Sequence, residues 1–264
     1  REIWRADWRG RELTGVCVDS VAFDPSGRYL IGTNGDFHTL AIWDLNERSN
    51  RRVQERKAIV AAEELSSYSW DGKQILGFKG SDVVISYLHN VWFKNLINVG
   101  RALKRVAFLG SKDQQILTLY VDGSLAVWDV ASQQEVQSIQ TEEVIAEVAI
   151  SLLGDLVLAS GAENTFFYQY DSGSLRYRSK LIGTIAGYSD DALDIDANQV
   201  VTYSEIEKAV YLWRLPEVAL VAKAPVSVKP QKVGFRKHQA FYIQWDESNL
   251  KFITSIGPDA ETPV

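Results

Sequence analysis

The sequence has little of several residues that carry chemistry or cross-links. It contains no methionine, one cysteine, three histidines and six prolines in 264 residues. A lone cysteine, Cys17, excludes an internal disulfide, so the chain is not a small secreted scaffold held by disulfide bridges. A reducing compartment fits this usage, and we predict a cytoplasmic location. Because the chain starts at Arg1 without methionine, we expect further residues, and possible upstream domains, before it in the natural protein.

Long apolar runs and an excess of positive charge are also missing. Runs such as residues 58–62 fall far short of the roughly 20 apolar residues that a membrane-spanning helix needs, so we predict no membrane span. The chain has 28 Lys and Arg against 34 Asp and Glu, a net charge of -6. Surfaces that bind nucleic acid normally show a basic excess. This balance argues against direct contact with nucleic acid and favours a basic or neutral partner.

Motifs for catalysis, metal binding or cofactor binding are absent from the sequence. It has no Gly-x-Ser-x-Gly elbow, no phosphate-binding glycine loop and no His-Glu-x-x-His pair. The pattern of Asp194, Asp196, Asn198 and Glu205 resembles a calcium loop, but Gln199 stands where the sharp turn needs glycine. Adjacent carboxylates at 190–191 are typical of a solvated loop. We therefore predict no enzyme activity, no catalytic residue, no metal and no cofactor.

A repeat of about 42 residues runs through the chain. Trp43, Trp128 and Trp213 are each 85 residues apart, which is two periods. Weaker copies lie between them and at the two ends, at 3–5, 85–88, 167–171 and 251–254. The seven positions mark six full periods.

Each period has the same internal order. An apolar triplet is followed by a polar turn, as in Asp24–Gly27, then by a second apolar run, another turn and the segment that ends at the tryptophan position. The triplets are clearest at 21–23, 106–108, 148–150 and 233–235. The second runs lie at 29–31, 74–76, 115–117, 156–158, 199–201 and 240–242. This order predicts an all-β chain of short strands.

The stretch Val21–Leu30, followed by Ile42-Trp43-Asp44, resembles the repeats of the Trp-Asp (WD) family. The resemblance covers essentially the whole chain and implies a β-propeller of four-stranded blades. We therefore expect residues 1–264 to form one propeller domain, a fragment of a longer chain. No repeat has the family's Gly-His pair, so we expect its buried histidine network to be absent. Blade stability should then rest on apolar packing between neighbouring sheets.

The number of blades stays open between six and seven. Family propellers close their ring by pairing the two chain ends, and residues 11–16 are placed to complete the blade formed by residues 232–254. That arrangement gives six blades. Trp4, however, reads as the last inner strand of an earlier repeat, which gives seven blades if upstream residues are missing.

The loops predict a binding face. In the family fold, the turns between second and third strands and the links into each first strand emerge on one face. The turns carry the candidate partner-binding residues Asp36, Asp82, Asp122, Glu163, Glu205 and Asp246. The links add Asp19, Glu63, Glu64, Glu147, Asp190 and Asp191, while the opposite face receives Arg28, Arg48, Arg51, Arg52, Lys73 and Lys112. Some of these acids, such as Asp122 before Gly123, are also typical turn formers.

The leading functional prediction is a non-catalytic protein interaction scaffold, the recognition or sensor module of a larger protein. Its acidic face would bind a basic peptide or protein. One alternative is an enzyme or small-ligand-binding propeller that uses the mouth of the central channel. Another is a self-association module, because the stretch at 87–93 is unusually aromatic.

Overall fold

The structure is a computed structural model. It describes residues 20–23, 29–34, 39–44, 64–69, 73–87, 90–110, 112, 114–151, 154–185, 193–194, 198–230, 232–236, 239–246 and 249–256. Within these ranges the chain forms 22 strands in six antiparallel sheets, and none of these residues is helical. Accordingly, this part of the chain holds no helix that is long and apolar enough to span a membrane.

The sheets follow one another along the chain. Sheet 1 contains β1 (Ser20–Phe23), β2 (Tyr29–Asn34) and β3 (Thr39–Asp44). Sheet 2 contains β4 (Glu64–Tyr68), β5 (Gln74–Lys79), β6 (Asp82–Tyr87) and β7 (Asn90–Asn98). Sheet 3 contains β8 (Leu103–Leu109), β9 (Gln115–Tyr120), β10 (Leu125–Asp129) and β11 (Gln134–Ile139).

The other three sheets repeat this arrangement. Sheet 4 contains β12 (Glu147–Ile150), β13 (Leu156–Ser160), β14 (Asn164–Asp171) and β15 (Ser174–Ile182). Sheet 5 contains β16 (Leu193–Asp194), β17 (Gln199–Ser204), β18 (Ala209–Arg214) and β19 (Ala219–Pro225). Sheet 6 contains β20 (Lys232–Arg236), β21 (Gln239–Asp246) and β22 (Asn249–Ile256).

Within every sheet the strands lie in chain order, each antiparallel to the next. The predicted apolar triplets form the first strands, and the predicted second apolar runs form the second strands. The prediction of an all-β chain is therefore confirmed. Residues 199–203 lie within the stretch 194–205 that resembles a calcium loop in spacing, and they form part of the strand β17.

The core lies between neighbouring sheets. Sheets 2 and 3 meet through side chains such as Val83 and Ile116, and sheets 3 and 4 meet through Leu117 and Val157. Two further clusters join sheet 4 to sheet 5 and sheet 5 to sheet 6. Among the residues whose side chains are described, sheets 2 to 6 thus bury apolar side chains against one another in sequence, as the predicted packing between neighbouring sheets requires.

Polar contacts also hold Trp128 and Trp213, the tryptophans whose side chains are described and buried. Trp128 Nε1 donates to Tyr120 Oη at 3.0 Å, and Trp213 Nε1 donates to Thr202 Oγ1 at 2.9 Å. A buried indole N–H needs a partner, and here a neighbouring strand of the same sheet supplies it without histidine. These two hydrogen bonds within sheets add to the apolar packing between sheets.

The described residues do not decide between six and seven blades. They form six sheets, and residues 11–16 and Trp4, on which the choice between six and seven depends, lie outside them.

Candidate protein-binding face

Backbone hydrogen bonds bring two sets of loops together on one face. In sheets 2 to 5, the turn between the second and third strands lies beside the links between sheets. The bonds are Leu103 N to Gly80 O at 2.8 Å, Val121 N to Ala102 O at 3.0 Å, Ile145 N to Gly123 O at 3.2 Å, Gly183 N to Glu163 O at 3.0 Å and Val226 N to Lys208 O at 2.9 Å. We call this surface the top face: turns 80–82, 121–124, 161–163 and 205–208, and links 98–102, 140–146, 183–185 and 226–230.

The remaining turns meet at the opposite ends of the strands, which we call the bottom face. There Val130 N donates to Gln114 O at 2.9 Å, and Tyr170 N donates to Asp155 O at 2.7 Å. Lys73 and Lys112 lie on this face as the sequence indicated, but Asp155 lies there too. The described part of the bottom face is therefore mixed in charge, and the four arginines expected on it lie outside the described residues.

Asp122 is held by its own turn. Its Oδ1 accepts hydrogen bonds from Ser124 N at 3.0 Å and Ser124 Oγ at 2.7 Å, and its Oδ2 lies 2.5 Å from Arg101 Nη2. The Ser124 backbone and hydroxyl bonds, followed by Arg101, lower the pKa of Asp122 to about 2. This carboxylate therefore stabilises a turn and pairs with a cation of the same chain.

The other candidate carboxylates differ in how far they are committed to internal contacts. Asp82 accepts from Asn98 Nδ2 at 2.6 Å, and Glu205 lies 3.6 Å from Lys229 Nζ. Glu163 makes no side-chain ion pair with any described residue. Of the candidates whose side chains are described, Glu163 is thus the one whose carboxylate has neither a hydrogen bond nor an ion pair to another described residue.

Two candidates have no described side chain. Asp36 lies outside the described residues, and Asp246 ends β21, where its backbone pairs with Asn249. The prediction that they bind a partner stays a prediction.

Glu143 fixes the turn that carries Glu163. Its Oε1 accepts from Asn164 Nδ2 at 2.5 Å, and its Oε2 accepts from Glu163 N at 3.0 Å. Burial raises the pKa of Glu143, but these hydrogen bonds outweigh burial and lower the pKa overall. A side chain on Gly161 would meet this carboxylate at 2.3 Å, so the close approach requires glycine there.

Four exposed apolar side chains lie on the same face and were not identified from the sequence. They are Val121, Val144, Ile206 and Val228, with 66%, 71%, 72% and 55% of their surface exposed. The sequence feature that could have identified them is a β-branched residue inside an otherwise polar turn, as in Val121-Asp122-Gly123. Val144 reaches the same turn, because a Cβ on Gly123 would lie 2.4 Å from its Cγ1.

The residues considered for chemistry or self-association fall into three groups. Trp128 and Trp213 are buried in the core. Cys17 and the three histidines lie outside the described residues, and no cluster of potential metal ligands occurs among the residues that are described. The aromatic stretch at 87–93 runs from the end of β6 into β7, the outermost strand of sheet 2, with Leu88 and His89 outside the described residues.

Comparison with known proteins identifies the architecture. No protein-family model and no curated protein matches the sequence. Among solved structures, the chain is similar to the β-propeller domain of Cps50 (Swd1) from Myceliophteria thermophila, with a TM-score of 0.61. The match has 12% identity and covers 86% of this chain and 79% of that chain. The chain has a β-propeller fold. At this identity the similarity shows the fold alone. Membership of the WD-repeat family therefore stays a prediction, based on the repeats in the sequence.

Proposed function

We propose that this propeller is a non-catalytic scaffold that binds a protein or peptide through its top face. The observation that carries the proposal is the exposure of four apolar side chains, Val121, Val144, Ile206 and Val228, on hydrogen-bonded loops of one face. Exposed apolar residues grouped on a rigid surface are typical of protein-binding sites. Val121 lies in the turn 121–124, Val144 lies close to Gly123 of the same turn, and Ile206 occupies the corresponding turn two sheets further on.

The charge of this face supports a basic partner. Its described residues include the acids Asp82, Asp122, Glu142, Glu143, Glu163, Glu205 and Glu207, and the bases Arg101, Lys208 and Lys229. An excess of acids attracts a basic partner and speeds its encounter, and salt weakens this attraction. The proposed partner therefore combines Lys or Arg with apolar side chains. As a scaffold, the propeller would serve as the recognition or sensor module of a larger protein.

The test compares top-face substitutions with matched substitutions elsewhere. Val144→Ser with Ile206→Ser removes apolar contacts from the top face. Val136→Ser with Leu220→Ser makes the same kind of change on the outermost strands, where these side chains are 49% and 51% exposed. Glu163→Lys on the top face is matched by Glu217→Lys on the bottom face. Asp82 and Asp122 are avoided, because their carboxylates accept internal hydrogen bonds, from the Asn98 side chain and from Ser124 respectively.

The readout is capture from source-cell lysate, followed by titration of the partner that mass spectrometry identifies. We expect the unchanged chain and both matched controls to retain the partner and both top-face variants to lose it. Higher salt should weaken the interaction. Equal retention by the top-face variants, or equal loss by the controls, would contradict the proposal.

A further inference from the structure

Arg101 occupies a site on the top face that suits a guanidinium group. Its Nη2 lies 2.5 Å from both Asp122 Oδ2 and Ser124 Oγ, and its Cζ lies 4.0 Å from the centre of the Tyr120 ring. A carboxylate, a hydroxyl and an aromatic face are three groups that recognise arginine. The structure thus shows a guanidinium group in place.

The groups that receive Arg101 are held by other contacts. Tyr120 is buried, and its Oη accepts the Trp128 Nε1 hydrogen bond at 3.0 Å. The second carboxylate oxygen of Asp122 accepts from the backbone and hydroxyl of Ser124. The receiving site should therefore keep its shape when Arg101 leaves.

Arg101 itself is held only at the surface. It lies in the link between β7 and β8, and its side chain is 44% exposed while that of Asp122 is 60% exposed. Ion pairs between exposed side chains contribute little free energy. Replacement of Arg101 by another guanidinium group that makes the same contacts should therefore cost little.

We propose that Tyr120, Asp122 and Ser124 form an arginine subsite that Arg101 occupies until an arginine of the partner replaces it. The inference rests on the proposed function and narrows the partner to one that presents arginine. The exposed Val121 lies in the same turn, so an arginine next to an apolar residue fits the surface around the subsite. Arg101 then acts as an internal competitor that weakens partner binding.

The experiment measures binding of N-acetyl-arginine methylamide to the full chain by NMR titration. Arg101→Ala and Arg101→Gln should both bind this probe more tightly than the unchanged chain, by about tenfold if Arg101 fills the subsite nine-tenths of the time. Adding Asp122→Asn to either variant should remove the gain. N-acetyl-lysine methylamide should gain less, because an ammonium cannot match the planar guanidinium contacts.

Two outcomes would overturn the inference. One is that neither Arg101 variant binds the arginine probe more tightly than the unchanged chain. The other is that the gain survives Asp122→Asn. Because Arg101→Gln keeps a long polar side chain in the link, it decides the matter if Arg101→Ala does not fold.

The inference and the proposed function fail in different ways. If top-face serine variants lose the captured partner but the arginine probe shows no gain, protein binding stands and the exchange is wrong. If the probe gains as expected but no partner is captured through the top face, the subsite stands and the proposed function is wrong.

Discussion

The side-chain amide of Gln137 forms two hydrogen bonds with the backbone of Leu175 in the next sheet. Gln137 Nε2 donates to Leu175 O at 2.8 Å, and Gln137 Oε1 accepts from Leu175 N at 2.9 Å. Both residues lie in the last strand of their sheet, β11 and β15. The amide therefore takes the place of a neighbouring strand at this edge and joins sheet 3 to sheet 4.

Gln137→Ala should lower the free energy of unfolding by about 1–3 kcal/mol, because two hydrogen bonds are lost and a partly buried peptide group is left unpaired. Urea denaturation measures the change. Gln134→Ala is the matched control, since Gln134 begins the same strand and is exposed. Equal stability of the two variants would show that the amide bridge contributes nothing.

The sequence predicted the strands that are buried and missed those that are not. The second strands β5, β9, β13 and β17, whose side chains are described, are buried along most of their length and are apolar runs in the sequence, a pattern that indicates a strand. The outermost strand β11 is largely exposed and polar, so its residues carry no such signal. The Gln137 contact spans 38 residues and exists only because two sheets are neighbours.

The sequence likewise predicted only part of the candidate site. The Asp122-Gly123 pair predicted a turn, since glycine accepts the positive φ of 82° found there. Arg101 belongs to the preceding link, and the backbone bond between Val121 N and Ala102 O holds that link beside the turn. Spacing along the chain cannot show which cation reaches which carboxylate.

Gly154→Ala should destabilise the propeller because two bottom-face turns meet at this residue. Gly110 N donates to Gly154 O at 3.0 Å, and a Cβ on Gly154 would lie 2.4 Å from Gly110 N. Its φ of +68° adds strain for any residue with a side chain, about 1–3 kcal/mol for such conformations. Thermal unfolding of Gly154→Ala and of the unchanged chain measures this loss of stability.

Gly100→Ala is the control for Gly154→Ala. Its φ of +71° carries a similar backbone penalty, but nothing lies within 4 Å of the added Cβ. The Gly154 variant should therefore lose more stability than the Gly100 variant, and the difference measures the close approach between the sheets. If the two variants lose the same amount, only the backbone conformation matters at Gly154.

The acid sensitivity of the propeller should depend in part on Asp122. Hydrogen bonds from Ser124, then Arg101, lower its pKa from 3.8 to about 2 in the folded chain. A depressed pKa means that the stabilisation is fully present above pH 3.8 and is lost as the pH falls towards 2. Asp122→Asn should therefore show a shallower loss of stability between pH 5 and pH 2, measured by urea unfolding at each pH.

Arg101→Gln separates the causes of this pH dependence. It keeps both Ser124 hydrogen bonds to Asp122, which lower the pKa more than Arg101 does. The Arg101 variant should therefore keep most of the pH dependence that Asp122→Asn removes. A profile as shallow as that of Asp122→Asn would assign the effect to the guanidinium instead.

Ser86 occupies the position in sheet 2 that corresponds to Trp128 in sheet 3 and Trp213 in sheet 5. It lies opposite Ile75, as Trp128 lies opposite Ile116 and Trp213 lies opposite Val200. Ser86 is fully buried, and its hydroxyl has no hydrogen-bond partner among the described residues. A buried hydroxyl without a partner costs free energy, so this position is a weak point of sheet 2.

Ser86→Ala should therefore leave the free energy of unfolding unchanged or raise it by up to about 1 kcal/mol. Thr202→Val is the contrasting variant, because the Thr202 hydroxyl donates to Ile182 O at 2.7 Å and accepts from Trp213 Nε1. That substitution should lower the free energy of unfolding by about 1–3 kcal/mol, since it leaves a buried indole N–H unpaired. A loss of stability in Ser86→Ala comparable to that in Thr202→Val would mean that the Ser86 hydroxyl is hydrogen-bonded in solution.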